Sequence, residues 1–177
     1  MALAMLAPAG VAYPVLDFGT EAQKERYLRA CTGNDFPQLT AAVMEPDYDF
    51  DPTALRTIAK RQGSGYVLSG KKCLVPNGAA AETYLVYARL EGAPEGFEGV
   101  AAFFVARGAA GLEVSAKEKN MGVHALDAVT LTLNDVSVAL DARLGAEAPI
   151  DFERIISYAR VALSALAVGV ARRAYDH

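Results

Sequence analysis

Residues 39–138 carry a single pattern, in which short apolar segments rich in β-branched and aromatic residues alternate with turn residues. The clearest strand candidates are residues 83–88, 100–106 and 129–133, and the last of these alternates apolar with polar side chains, as a half-buried strand does. Glycine, proline and asparagine separate the segments at short intervals, for example at Gly63-Ser64-Gly65. Many short strands joined by close turns are typical of an antiparallel barrel or sandwich, so the pattern predicts a mainly β fold here.

Helical patterns flank the predicted strands, as short N-terminal helices and a long C-terminal helix. Residues 20–29 predict a short helix, because Thr20 can cap it and Gln23 completes a capping box. After Pro149 the periodicity becomes helical again, with Asp151 as a candidate N-cap. The chain is therefore predicted to divide into helical residues 1–38, β-rich residues 39–148 and helical residues 149–177.

The composition allows a buried core and argues against several kinds of function. At 53% hydrophobic residues, the chain can bury a substantial interior. The formal net charge of −4, with scattered lysines and arginines, argues against nucleic-acid binding. Cys31 and Cys73 lack metal-type spacing, and His124 and His177 are the only histidines in the sequence. We therefore predict no metal site, two free thiols and a cytoplasmic location.

No segment is predicted to cross a membrane. The apolar residues 1–8 lack a basic leader and are too short to span a bilayer. The apolar stretch at residues 155–170 is interrupted by Arg160 and Ser164. A membrane is therefore not expected among the partners.

Several further features favour structural interpretations over binding sites. The alternating carboxylates of residues 47–51 lack the glycine and glutamate of a calcium loop, so we predict a solvated acidic turn. Residues 69–72, Ser-Gly-Lys-Lys, lack phosphate-loop spacing and predict a hairpin turn followed by an exposed strand. His124 has no nucleophile beside it in any motif, which favours a surface or partly buried histidine. Tyr84 and Tyr87 are typical of the core or edge of a sheet.

Three segments stand in a recognisable order, namely Ala-Val-Met-Glu-Pro at residues 42–46, Gly-Tyr-Val-Leu-Ser-Gly-Lys-Lys at residues 65–72 and Pro-Asn-Gly at residues 76–78. In that order and spacing they resemble the middle β domain of acyl-CoA dehydrogenases, and the likeness runs from about Phe18 to the end. Members of this family have an N-terminal helical domain, a middle β domain and a C-terminal four-helix domain. They bind FAD between the last two and usually form tetramers. The resemblance implies α,β-dehydrogenation of an acyl-CoA, in which a carboxylate takes the α-proton and FAD accepts the hydride.

The resemblance covers part of the family architecture. Most of the first helical domain, and the C-terminal helices that carry the catalytic glutamate in most members, have no counterpart in this sequence. No residue is therefore assigned as the catalytic base. We expect a fragment that is inactive in isolation and whose parent is a homodimer or homotetramer.

The resemblance places eight residues at the ligands. The cofactor positions, expected to contact FAD, are Val43, Met44, Leu74, Val75 and Pro76. The substrate positions, expected near acyl-CoA, are Phe50, Asp151 and Arg154. For Asp151 and Arg154 an interpretation without a ligand is equally open, in which Asp151 caps the helix and Arg154 is a solvated surface residue.

The cofactor positions lack polar groups that the family uses. Met44 stands where the family has a threonine that helps to hold the flavin ring, Leu74 replaces a stacking aromatic residue, and Pro76 replaces a hydroxyl donor and has no N–H. Phe50 falls in a loop where the family has Gly-Ala-Gly-Ser-Asp, whose glycines let the backbone approach a ligand closely. Because a neutral hydrogen bond contributes about 0.5–1.5 kcal/mol, we expect weakened FAD binding. A second hypothesis is a flavin-less relative that binds acyl-CoA or serves in assembly.

Overall fold

The computed structural model describes residues 2–32, 38–121 and 126–176, which form helices at both ends and strands between them. His124 lies outside the described residues. In chain order the elements are α1 (Ala2–Phe18), α2 (Glu21–Cys31), β1 (Leu39–Ala42), β2 (Ile58–Gln62), β3 (Gly65–Val75), β4 (Thr83–Leu90), a 3-10 helix (Phe97–Gly99), β5 (Val100–Ala106), β6 (Leu112–Val114), β7 (Val129–Ala139), a second 3-10 helix (Leu140–Ala142) and α3 (Phe152–Tyr175).

The strands form one curled sheet whose pairing is mixed. β1 pairs with residues 83–86 of β4, and β2 pairs with Arg89 and Leu90 of β4, both in parallel. β5 pairs antiparallel along the other edge of β4, so β1 and β2 share one edge. The remaining pairs, β2 with β3, β3 with β7 and β6 with β7, are antiparallel. The predicted sheet between residues 39 and 138, with helices on both sides of it in the chain, is confirmed. The prediction of an antiparallel barrel or sandwich is wrong in strand direction, because residue alternation reports the buried face and not the direction of the neighbouring strand.

The strand β3 continues through a predicted turn. It includes Ser69 and Gly70, and its register against β7 shifts between Leu68 and Gly70, so the glycine marks a bulge. Gly70 has no room for a side chain, because a Cβ built there would lie 2.7 Å from the Cα of Thr57. The predicted hairpin turn is therefore wrong. The prediction of an exposed strand after it is also wrong at Lys72, which is fully buried.

Two hydrophobic clusters lie on opposite faces of the sheet. Along β4, Tyr84 and Val86 belong to the cluster inside the curl, whereas Leu85 and Tyr87 belong to the cluster beneath the helices. Both tyrosines are buried, as predicted for the core of a sheet. The residues of α1 and α3 that are buried in the second cluster are Val11, Val15, Phe152 and Ile155. The helices therefore attach to one face of the sheet.

The helix α3 is buried only at its start. Phe152 and Ile155 are buried, whereas Val161 and Val168 are each 69% exposed. Among the described residues, α3 is the one helix long and apolar enough, by length and composition, to cross a membrane, with a mean hydropathy of 1.4 in its most apolar window. A single helix of this kind is weak support for a membrane protein. The expected lack of a membrane span stays a prediction.

The capping box predicted at the start of α2 is confirmed, and it also anchors the helix. The Thr20 N–H donates to Gln23 Oε1 at 3.1 Å, and the Gln23 N–H donates to Thr20 Oγ1 at 3.2 Å. The buried Gln23 amide also donates to the carbonyls of Asp141 and Arg143, at 2.9 and 2.8 Å, and accepts from the Gly145 N–H at 3.0 Å. α2 is thereby fixed to the segment that follows β7.

Replacing Gln23 with methionine keeps the side-chain length and removes these hydrogen bonds. We expect the free energy of unfolding to fall by about 2–4 kcal/mol, because each buried polar group left unpaired costs about 1–3 kcal/mol. Urea titration measures the change. The matched control is Gln62→Met at the exposed end of β2, where we expect less than about 0.5 kcal/mol. Equal losses in the two variants would contradict the anchoring role of Gln23.

Candidate functional site

A buried ion pair holds the segment that follows β1 against β3. Lys72 Nζ donates to Glu45 Oε1 at 2.7 Å and to the Val43 carbonyl at 3.1 Å. Glu45 also accepts from the Thr57 N–H and hydroxyl, at 2.9 and 2.6 Å, and from the Arg56 N–H at 2.7 Å. The Lys72 and Glu45 side chains are 0% and 3% exposed. The pair therefore joins three segments of the chain at one point.

Burial and pairing shift the pKa values of Lys72 and Glu45 in opposite directions. Desolvation lowers the pKa of Lys72 to about 8, against the opposing effect of the Glu45 carboxylate. Desolvation also tends to raise the pKa of Glu45, but the charge and hydrogen bond of Lys72, together with the bonds from Thr57 and Arg56, hold that pKa below its usual value. Both groups are therefore charged at neutral pH, and each compensates the other in a place shielded from solvent.

The ion pair brings the cofactor positions at the ends of β1 and β3 together. The Cys73 N–H donates to the Met44 carbonyl at 2.9 Å, and Thr40 Oγ1 donates to the Pro76 carbonyl at 2.6 Å. Met44 and Leu74 are 41% and 43% exposed.

The fifth cofactor position, Val75, has a different environment. It is 1% exposed, and its side chain belongs to the cluster inside the curl of the sheet. Any contact that Val75 makes with a ligand therefore involves its main chain.

An apolar cavity of about 280 Å³ lies between α1, α3 and the ends of β1 and β3. Two cofactor positions, Val43 and Pro76, line it, together with Tyr13 on α1 and Ala159 on α3. No charged side chain lines it in the part of the chain that the structure describes. Such a space suits an uncharged, mostly apolar group.

A buried tyrosine lies at the wall of the cavity, and no sequence pattern indicates its place there. Tyr87 of β4 lines the cavity, and its ring packs against Phe152 with a centroid separation of 5.0 Å. Its hydroxyl is buried and has no hydrogen-bond partner among the described residues. Burial raises the pKa of Tyr87 far above its usual value, so the phenol is neutral.

None of the three substrate positions lines the cavity, and two of them, Asp151 and Arg154, lie together at the start of α3. Asp151 Oδ1 accepts from the Arg154 N–H at 2.9 Å and so caps α3. Arg154 Nε donates to the Tyr158 hydroxyl at 2.6 Å, its Nη2 lies 3.2 Å from Asp17 Oδ2, and the Tyr158 hydroxyl donates to Asp17 at 2.9 Å. This Asp17–Arg154–Tyr158 network joins α1 to α3 at the cavity, which Tyr158 lines. Phe50 packs against the helix-side cluster and does not line the cavity.

Comparison with known proteins places this architecture in one family. The family model for the acyl-CoA dehydrogenase middle domain matches residues 40–136. The cyclohex-1-ene-1-carbonyl-CoA dehydrogenase of Geobacter metallireducens is 34% identical over 99% of this chain and 46% of its own length. The chain therefore belongs to the acyl-CoA dehydrogenase family, and the resemblance seen in the sequence is confirmed.

Solved structures agree with this assignment. The prolyl acyl carrier protein oxidase AnaB superposes with a TM-score of 0.76 at 32% identity, over 88% of this chain and 40% of that one. An FAD-dependent dehydrogenase superposes with a TM-score of 0.70 at 28% identity, over 88% of this chain and 42% of that one. The expectation of FAD as the family's cofactor is thereby supported. The chain spans less than half the length of each of these relatives.

Replacing Glu45 with glutamine would leave the Lys72 charge buried without a counter-charge. We expect a loss of about 3–5 kcal/mol in the free energy of unfolding at pH 7. The ion pair contributes fully between the ordinary carboxyl pKa of 4.5 and the Lys72 pKa of about 8. It is lost as the pH falls through the lower folded pKa of Glu45, so the gap between wild type and variant should shrink in acid.

Denaturant titration between pH 7 and pH 3 measures this gap. The matched control is Glu147→Gln, which breaks the half-exposed pair between Glu147 and Arg61 and should cost at most about 1 kcal/mol. A gap for Glu45→Gln that does not change with pH would contradict a charged Glu45 in the folded protein.

Proposed function

We propose that this chain is the part of an FAD-dependent acyl-CoA dehydrogenase that forms one wall of the flavin site and holds the acyl group of the thioester. The observation that carries the proposal is the apolar cavity, because Val43 and Pro76 belong both to its lining and to the segments expected at the flavin. An acyl group is apolar, and it gains free energy by leaving water for such a space. Family membership supports the same chemistry.

The cofactor positions fit the faces of a flavin ring better than its polar edge. Met44 and Leu74 present exposed apolar side chains against which a flat ring could pack. The carbonyls of Val43, Met44 and Pro76 already accept hydrogen bonds within the chain. No side-chain hydroxyl is present at these positions, so FAD would be held mainly by apolar contact here. When bound, FAD supplies a hydride acceptor.

The chain's own residues would position the acyl group and exclude water from it. α1 and α3 form two walls of the cavity, and the Asp17–Arg154–Tyr158 network holds these helices together. No carboxylate lines the cavity among the described residues, and none of these residues is proposed as the proton acceptor.

A flavin-less acyl-CoA-binding module is the second candidate. The observation that favours it is the absence of side-chain hydroxyls at Met44 and Pro76 beside an intact cavity. Both candidate functions require that the acyl group binds, and only the dehydrogenase requires that FAD binds as well. Two separate titrations therefore distinguish them.

The first titration tests the acyl site with butyryl-CoA. Ala162 lines the cavity, and Ala162→Phe would fill part of it, so we expect butyryl-CoA binding to weaken at least about tenfold. Calorimetry without FAD measures the affinity. The matched control, Ala171→Phe, changes an exposed residue on the same helix and should leave the affinity unchanged. Wild-type protein that fails to bind butyryl-CoA would overturn both candidate functions.

The second titration tests the flavin site. Met44→Thr would restore a hydroxyl at an exposed cofactor position, and we expect FAD affinity to rise about two- to tenfold, as for one neutral hydrogen bond. Quenching of flavin fluorescence measures binding. Val168→Thr, on the exposed part of α3, is the control for an added hydroxyl elsewhere. If neither the wild type nor Met44→Thr binds FAD while butyryl-CoA binds, the flavin-less module is favoured.

A further inference from the structure

Two tyrosines from different helices meet at the wall of the apolar cavity. Tyr13 of α1 and Tyr158 of α3 both line it, and their ring centroids are 5.8 Å apart with an angle of 49° between the ring planes. Tyr13 is also 55% exposed, so its ring lies between the cavity and the solvent. The Tyr13–Tyr158 pair therefore closes part of the gap between the two helices.

The Tyr158 ring is held in place by contacts with α1 and with its own helix. Its hydroxyl accepts from Arg154 Nε at 2.6 Å and donates to Asp17 at 2.9 Å. The Arg154 guanidinium also lies over the ring, with its central carbon 5.6 Å from the ring centroid. Moving Tyr158 aside would break these contacts, so Tyr13 packs against a ring that is costly to displace.

Most of the other residues that α1 contributes to the lining are small. They include Ala9 and Gly10, and Tyr13 is the largest side chain that α1 places at the cavity among the described residues. On α3, Ala159 and Ala162 also line the cavity and leave room between the helices. The small residues therefore create the space, and the Tyr13–Tyr158 pair limits how far it extends.

We propose that Tyr13 is a specificity-determining residue that sets the upper length of the acyl group by closing the cavity between α1 and α3. This inference rests on the proposed function of the cavity as the acyl site. The cavity volume of about 280 Å³ suits a short acyl group, because it lies below the range of about 300–1,000 Å³ found for pockets of drug-sized ligands. A longer chain would have to displace the tyrosine pair or remain in water, so its added methylene groups gain little affinity.

The length dependence of acyl-CoA binding tests this inference. Calorimetry without FAD gives the affinities of butyryl-CoA and octanoyl-CoA for the wild type and for Tyr13→Ala. Burying one methylene group strengthens binding about fourfold. We expect the two affinities to differ by less than about fourfold in the wild type. In Tyr13→Ala the ratio of octanoyl-CoA to butyryl-CoA affinity should rise at least about tenfold, as for two further buried methylene groups.

Three further variants assign the effect to the Tyr13 ring. Leu16→Ala is the matched control, because Leu16 lies on the same helix and is 56% exposed but does not line the cavity. Its affinity ratio should equal that of the wild type. Tyr13→Phe keeps the ring and should also keep the wild-type ratio. Tyr13→Leu shortens the side chain less than alanine does, so it should raise the ratio by a smaller factor, and this measurement does not depend on the folding of Tyr13→Ala.

The outcomes separate the inference from the proposed function. If butyryl-CoA binds and the ratio is the same in the wild type, Tyr13→Ala and Tyr13→Leu, the length limit is wrong and the acyl site stands. The length limit is also wrong if the ratio in Leu16→Ala rises as much as in Tyr13→Ala, or if the wild type already binds octanoyl-CoA far more tightly than butyryl-CoA. If neither thioester binds the wild type, the proposed function fails and the inference fails with it. A rise confined to Tyr13→Ala and Tyr13→Leu supports both.

Discussion

The pairing of Lys72 with Glu45 is the interaction on which the rest of the site depends. Residues 43–46 belong to no strand, so no ladder of main-chain bonds fixes their path. The carboxylate instead gathers bonds from Lys72, Thr57 and Arg56, while the ammonium group holds the carbonyl of Val43. Buried ion pairs are weak sources of net stability, but breaking one is costly. The main role of the pair is therefore to hold the end of β1 beside the end of β3 and not to add net stability.

The family and the mainly β fold could be predicted because their signals are local. Strand patterns, turn residues, the Thr20 capping box and the Asp151 cap each depend on a few neighbouring residues. The burial of Lys72 could not be predicted, because its partner lies 27 residues away and two adjacent lysines suggest a solvated strand. The parallel pairing of β1 with β4 is likewise a property of the chain path, which side-chain alternation does not record.

Part of the candidate site could likewise be predicted from the sequence, and part could not. The motif was sufficient to propose four of the cofactor positions, Val43, Met44, Leu74 and Pro76. The two segments that carry them lie side by side in the structure. That α1 and Tyr87 line the cavity could not be predicted from the sequence. An apolar helix and an aromatic residue in a strand give the same sequence pattern whether they line a cavity or fill a core. Among the described residues the buried hydroxyl of Tyr87 has no hydrogen-bond partner, and only the three-dimensional structure shows this.

The Asp17–Arg154–Tyr158 network makes the attachment of α1 to α3 sensitive to dissolved ions. Asp17 and Arg154 are 23% and 54% exposed, so dissolved ions reach their contact and weaken it. The two helices at the cavity are therefore fastened most firmly in dilute buffer and more loosely in concentrated salt. The attachment between these two walls of the cavity is thus a property of the surrounding solution as well as of the protein.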